Sequence, residues 1–227
     1  MRRLIILLNL MLLTSLGLTA QQHYSANISV GGKAGVTLSQ VMFSPSVEQG
    51  FLMGSMAGVQ FRYIEEKHFG VIAEVNFEQR GWKEKFDETD YSYQRTLNYI
   101  QIPLLAHIYF GNKAKFFFNA GPEIGFLISE NKSANFNYTD IKDNPSDFPV
   151  KNRNTEQFTM EIKNKVDYGI SASLGMELKI GQKNSVALEG RFYYGLNNIF
   201  PSRKKDVFAA SNEMSIMVSL GYFFRVK

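Results

Sequence analysis

The chain has 227 residues and no cysteine, which excludes a disulfide scaffold, thiol chemistry and a lipidated N-terminal cysteine. Lys and Arg total 25 against 21 Asp and Glu; setting aside Arg2 and Arg3 as part of a leader leaves 25 − 2 = 23, so the remainder is nearly balanced and the pI of about 9.1 is no argument for a nucleic-acid partner. A remainder of roughly 200 residues suits one domain.

Arg2 and Arg3 precede an apolar run over residues 4–13, followed by small and polar residues up to Ala20 and then Gln21-Gln22. A positive start, an apolar middle and a small residue at the end predict a secretory signal peptide over residues 1–20. The apolar run falls short of the ~20 residues a spanning helix needs. Residues 21–227 then remain as a single domain.

Eight stretches of period-2 alternation follow, over residues 28–38, 51–63, 69–80, 97–110, 116–128, 167–179, 185–196 and 213–225. Successive side chains on a strand point to opposite faces, so each stretch is two-faced. In the first, Ile28, Val30, Ala34, Val36 and Leu38 share one face while Ser29, Lys33, Thr37 and Ser39 take the other. Connections alternate short and long: residues 64–68, 111–114 and 180–184 are short, whereas those around Pro45, at 83–93, 129–165 and 200–211 are long. Eight strands with this rhythm predict an all-β fold, a closed up-and-down antiparallel transmembrane barrel with short periplasmic turns and long extracellular loops.

Alternation alone also fits a soluble barrel whose apolar face lines a ligand cavity. The aromatic residues decide against it. On the apolar face Phe61, Tyr63, Phe69, Phe110, Phe116, Phe118, Tyr222 and Phe224 sit near the short turns, and Phe51, Phe77, Phe126, Tyr168 and Tyr194 near the long loops. Aliphatic residues such as Val59, Leu104, Leu174 and Val218 lie between them. Two aromatic girdles around an aliphatic band match two membrane interfaces, so the apolar face points to lipid. Glycines on the polar face, among them Gly58, Gly169, Gly175 and Gly221, make room inside a narrow barrel for long side chains. Pro103 and Pro122 fall inside strands, where a proline cannot donate to the ladder, and predict bulges or bends.

These residues resemble the PorT-like outer-membrane β-barrel proteins of Bacteroidetes-type bacteria, over essentially all of residues 21–227. The carriers are Gly31-Gly32-Lys33-Ala34-Gly35-Val36, Leu97-Asn98-Tyr99-Ile100-Gln101-Ile102-Pro103-Leu104-Leu105, Phe118-Asn119-Ala120-Gly121-Pro122-Glu123-Ile124-Gly125, Asp167-Tyr168-Gly169 with Gly175-Met176-Glu177, and Arg191-Phe192-Tyr193-Tyr194-Gly195-Leu196. The resemblance implies a small barrel of the OmpA/OmpX type. It implies little about activity, since the family includes members of unknown role and one linked to type IX protein secretion.

An eight-stranded barrel has an interior just wide enough for its own side chains, so a diffusion pore is not expected. Counting inward from the short turns puts Lys33, Gln60, Glu74, Asn119, Glu189 and Arg191 at similar depth. Charges of both signs in a low-dielectric lumen must pair, which predicts a structural ion-pair network of Lys33, Glu74, Glu189 and Arg191. The only histidines, His23, His68 and His107, lie away from the outer rim, so no Ser/His/Asp set converges there and no catalytic residue is assigned. Asp140, Asp143 and Asp147 lack the calcium-loop spacing, so no metal or cofactor site is assigned either.

The longest loop, 129–165, is the remaining candidate for contact, through Phe136, Tyr138, Phe148 and Phe158 set among Asn, Lys and Asp. Trp82, Lys83, Lys85 and Phe86, with Arg203-Lys204-Lys205, lie in neighbouring outer loops, where cations suit lipopolysaccharide phosphate. The sequence therefore points to a non-enzymatic outer-membrane barrel with a structural, binding or accessory role. Its partners would be outer-membrane lipid, lipopolysaccharide and envelope proteins, without nucleic acid. An accessory role in protein secretion and a rim-located enzyme stay open beside it.

Overall fold

The computed structural model describes residues 26–87, 89–143 and 154–227; the signal-peptide reading of residues 1–20 and the candidate contact Phe148 lie outside the described residues. The strands are β1 (Asn27–Ser44), β2 (Gln49–Gly50), β3 (Leu52–Ile64), β4 (Phe69–Glu84), β5 (Tyr93–Gly111), β6 (Ala114–Ala134), β7 (Val166–Ile180), β8 (Asn184–Asn198) and β9 (Ala210–Arg225). The two-residue β2 continues β3 across Phe51 and pairs with the far end of β4, so eight long strands make the wall. Each pairs antiparallel with its neighbour in sequence, and β1 pairs with β9 to close the ring. Closure gives every long strand two partners, which removes the exposed edges an open sheet would offer for aggregation.

The alternation separates two environments. Val59, Leu104, Leu174, Leu188, Val218 and Leu220 are exposed on the outer face, with Phe61, Phe69, Phe110, Phe116, Phe118, Tyr222 and Phe224 toward the short turns. Phe51, Phe77, Phe126 and Tyr168 are exposed toward the long loops. The alternate positions, from Lys33 and Gln60 to Glu189 and Arg191, are buried in the lumen. Among the described residues no helix is long and apolar enough to cross a membrane; the strands present the apolar surface.

Two expectations need correction. The strands run past their predicted ends on the long-loop side, β1 to Ser44, β4 to Glu84, β5 from Tyr93 and β6 to Ala134. Residues 129–134 thus belong to β6 and not to the loop. Their outward positions turn polar beyond Phe77 and Ile128, so the apolar signal stops while the ladder continues, down to Tyr93↔Ala134. Of the bulges or bends expected at the prolines, no bulge forms, and the register runs through intact. Around Pro103 the β4–β5 ladder runs Ala73↔Leu104 and then Asn76↔Gln101, a gap without an extra residue. Around Pro122 the β5–β6 ladder runs Pro103↔Glu123 and then Ala106↔Ala120, again unshifted. Proline removes a donor, and the neighbouring bonds hold the register across the gap.

The extra residues lie elsewhere. Register shifts occur between Asn98 and Tyr99 on β5 and between Tyr194 and Asn198 on β8. Between Gly50↔Lys83 and Met56↔Glu78, six steps along β2 and β3 face five along β4. Gly81 sits in this stretch at φ +137, where a Cβ would overlap the Arg95 carbonyl oxygen and crowd Leu52. Only glycine tolerates that backbone comfortably.

Candidate functional site

The lumen is filled in layers. Nearest the short turns, Arg62 grips Glu177 with two guanidinium nitrogens, one bond being Nη2 to Oε1 at 3.1 Å. The Arg62 guanidinium also stacks 4.0 Å from the Phe223 ring centroid. One layer up, Glu74 accepts from Arg191 with both oxygens, at 2.7 and 2.9 Å, while Lys33 Nζ lies 2.6 Å from Glu74 Oε2. Glu189 accepts from Arg191 Nη2 at 2.8 Å and from Lys33 at 3.4 Å, closing a four-membered network. Above this, Arg80 lies between the Tyr99 and Tyr193 rings at 4.4 and 4.5 Å, with Asp167 and Glu213 each 3.0 Å from its Nη2. Tyr193 donates to Asp167 at 2.6 Å, Ser215 to Glu78 at 3.3 Å, and Ser171 to Glu123. Each of these levels thus carries charges of both signs within ion-pair distance.

Beyond the outer girdle the barrel carries a second interior. Val41, Phe43, Trp82, Tyr93, Leu97 and Tyr99 point inward from the extended strand ends and meet Phe158, Ile162, Ile199, Phe200 and Phe208 from the long loops. Phe43 meets Trp82 edge-on at 5.4 Å and Phe208 at 4.9 Å, and Tyr93 meets Phe158 at 4.6 Å. Arg95, fully buried, ties the loop down by donating to the carbonyls of Gln157 and Met160 at 3.3 and 2.7 Å and to Glu130 at 2.6 Å. Gln157 in turn donates to Glu84 at 2.9 Å, pinning the 3-10 turn Glu156–Phe158 to the rim. Burial pushes the Tyr93 phenol above its ordinary range, and burial beside Arg95 holds the Lys132 ammonium below its own.

The four residues assigned to the lumen network, Lys33, Glu74, Glu189 and Arg191, lie within ion-pair distance of one another in alternation of sign. The loop candidates divide. Phe158 has no exposed surface and is corrected from a contact residue to a core residue, because its ring fills the space above Tyr93. Phe136 and Tyr138 are half-buried; Phe136 stacks on Tyr91 at 4.7 Å, and Tyr138 meets Tyr93 at 5.9 Å. Trp82 likewise moves from the outer loops into this core, at 0 % exposure. Arg80, Glu213 and Tyr193 formed no part of the expected network, although the face shared by Glu78 and Arg80 carried the signal. The inward run Trp82, Tyr93, Leu97 and Tyr99 was also readable, since the lumen parity of Gln101 extends to Tyr99 and Leu97.

His68 shares its Nδ1 with the Tyr109 carbonyl at 3.0 Å, in the short-turn region, and His107 is bonded to Asn119 at 2.7 Å in the lumen. Neither can serve as a base at the long-loop rim. Among the described residues no three His, Asp or Glu side chains group to hold a metal ion.

The closed ring matches solved outer-membrane proteins. OprG from Pseudomonas aeruginosa aligns over 89 % of this chain and 97 % of its own, at 11 % identity and a TM-score of 0.51. Neisserial surface protein A aligns over 88 % of this chain and 98 % of its own, at 12 % identity and a TM-score of 0.47. At 11 % identity the likeness to OprG is one of fold. No curated protein matches the sequence. The profile of the outer membrane protein beta-barrel domain matches residues 19–201, and the chain, a bacterial outer-membrane barrel, belongs to that family.

Proposed function

We propose that this is a non-enzymatic barrel with a structural or binding role, exerted through its extracellular cap. The observation that carries the reading is the filled lumen: ion pairs occupy its middle and an aromatic core its outer end. A barrel plugged at two levels passes no solute, so what it offers outside the cell is a surface on a rigid scaffold. Half-buried Phe136 and Tyr138 and exposed Arg203, Lys204 and Lys205 supply aromatic edges and cations there. That chemistry suits lipopolysaccharide phosphate and envelope proteins. Residues 1–20 act as the signal peptide and residues 21–227 as the barrel domain, of the PorT-like kind of Bacteroidetes-type bacteria.

The second reading, an accessory subunit of protein secretion, is favoured only by the family resemblance of the strand motifs and predicts contacts from the other side. A photo-crosslinking residue at Thr139, on the exposed helix Tyr138–Asp143, and another at Asn112, in an exposed short turn, separate the two. Adducts from Thr139 support the extracellular role. Adducts from Asn112 alone transfer the case to secretion. Steady single-channel conductance of the purified protein in a planar bilayer would overturn the plugged reading.

A further inference from the structure

At the periplasmic end the wall surrounds a mouth of about 560 Å³, bordered by Lys67, His68, Tyr109, Lys115, Lys179 and Arg225. A recess of about 20 Å³ shares Lys115, Lys179 and Arg225 with it and adds Arg62, Glu177 and Lys183. Together the linings hold six cations (Arg62, Lys67, Lys115, Lys179, Lys183, Arg225) against three carboxylates (Glu65, Glu66, Glu177), so 6 − 3 leaves three positive charges in excess. Two of those carboxylates have other work. Glu177 is gripped by Arg62, and Glu65 accepts from the Tyr63 hydroxyl at 3.0 Å. Among the described residues, no carboxylate lies within 4.0 Å of Lys115, Lys179 or Arg225.

Lys115 is the informative member. It is only 6 % exposed and forms no ion pair of its own: Glu177, its partner across the β6–β7 ladder, is already held by Arg62, and the Lys115 Nζ lies 4.3 Å from the Tyr109 ring centroid. Tyr109 stacks on His107 at 5.3 Å, and His107 is bonded to Asn119 at 2.7 Å, so the ammonium rests on a braced floor. A largely desolvated cation that has a ring face beneath it and shares its nearest carboxylate with an arginine is stabilised further by an anion brought to it.

We propose that this mouth is a binding site for a phosphate-bearing anion. A doubly charged group offsets more of the threefold excess than a single carboxylate does. The Arg225 fork and two lysine point charges are the donors that phosphate oxygens accept from. The volume lies within the ~300–1,000 Å³ of small-ligand pockets. The positive excess ends at this level: in the layers above, carboxylates (Glu74, Glu78, Glu123, Asp167, Glu189, Glu213) outnumber cations (Lys33, Arg80, Arg191) six to three. The ligand is therefore held at the mouth and not drawn through.

The test is an NMR titration of the full barrel in phosphatidylcholine nanodiscs with inorganic pyrophosphate. Saturable shifts at Tyr109, Lys115, Lys179 and Arg225, weakened by added salt, are expected. The Lys115→Gln/Arg225→Gln variant should bind at least about tenfold more weakly, while Lys115→Arg retains binding. A second arm replaces pyrophosphate by phosphatidylglycerol in the disc. The same shifts there, with none from pyrophosphate, make a lipid headgroup the source of the phosphate. The proposal falls if neither arm moves those residues, or if the shifts persist undiminished in the double variant. Retention of the heat-dependent gel shift shows that the variants are folded.

Discussion

Glu74 is the most heavily engaged carboxylate of the lumen, since Arg191 donates to both of its oxygens and Lys33 approaches one of them. Replacing it by glutamine leaves two buried cations to share Glu189. The expected loss is about 3–5 kcal/mol, read from urea unfolding in lipid vesicles, because an uncompensated buried charge costs more than the pair contributes. Space is as tightly allotted as charge. A methyl group on Gly175 would overlap Phe117 Cζ in the lumen and the Leu188 carbonyl on the neighbouring strand. Since the carbonyl belongs to a ladder that cannot recede, Gly175→Ala should destabilise by roughly 1–3 kcal/mol in the same assay. Lys33, Glu74, Glu189 and Arg191 were legible in the sequence because they lie at one distance from the short turns. Arg80 and its partners were harder to group. Glu213 stands at the start of its strand and Asp167 at the start of another, so their common height with Glu78 depends on stagger, which turn counting does not supply.

At the scale of elements, β5 and β6 each serve two solvents. From Ile100 to Phe110 the outward side chains of β5 meet hydrocarbon; from Gln94 to Asn98 they are polar, and the inward Tyr93, Leu97 and Tyr99 build a core of the kind found in soluble proteins. The parity of the strand never changes, but the polarity of its two faces exchanges. A reader who follows apolar residues along one face sees the strand end there, which is why the membrane-spanning part was legible and its continuation was not. The cap is a separate packing unit on this account. Phe158→Ala should cost about 3–5 kcal/mol of cap packing and speed protease cleavage within residues 135–165. The heat-dependent gel shift of the barrel should remain, since no wall hydrogen bond is touched. Loss of the shift would mean that cap and wall fold as one cooperative unit.

For the molecule as a whole, the exchange of polarity also fixes a length. The lipid-facing run covers eight residue steps on β4, from Phe69 to Phe77, ten on β5, from Ile100 to Phe110, and twelve on β6, from Phe116 to Ile128. At ~3.4 Å per step and a tilt of ~40°, the middle value of ten steps rises roughly 26 Å along the barrel axis. The aromatic girdles at the two ends hold that height rigidly, because a closed ladder can neither stretch nor kink as a helix does. Adjustment therefore falls to the bilayer, which must thin around the protein wherever its acyl chains are longer. Refolding into vesicles of dilauroyl lipid should accordingly be faster and more complete than into dioleoyl vesicles of the same headgroup. In a membrane of uneven thickness, such a barrel collects in the thinner regions and brings its cap to the surface there.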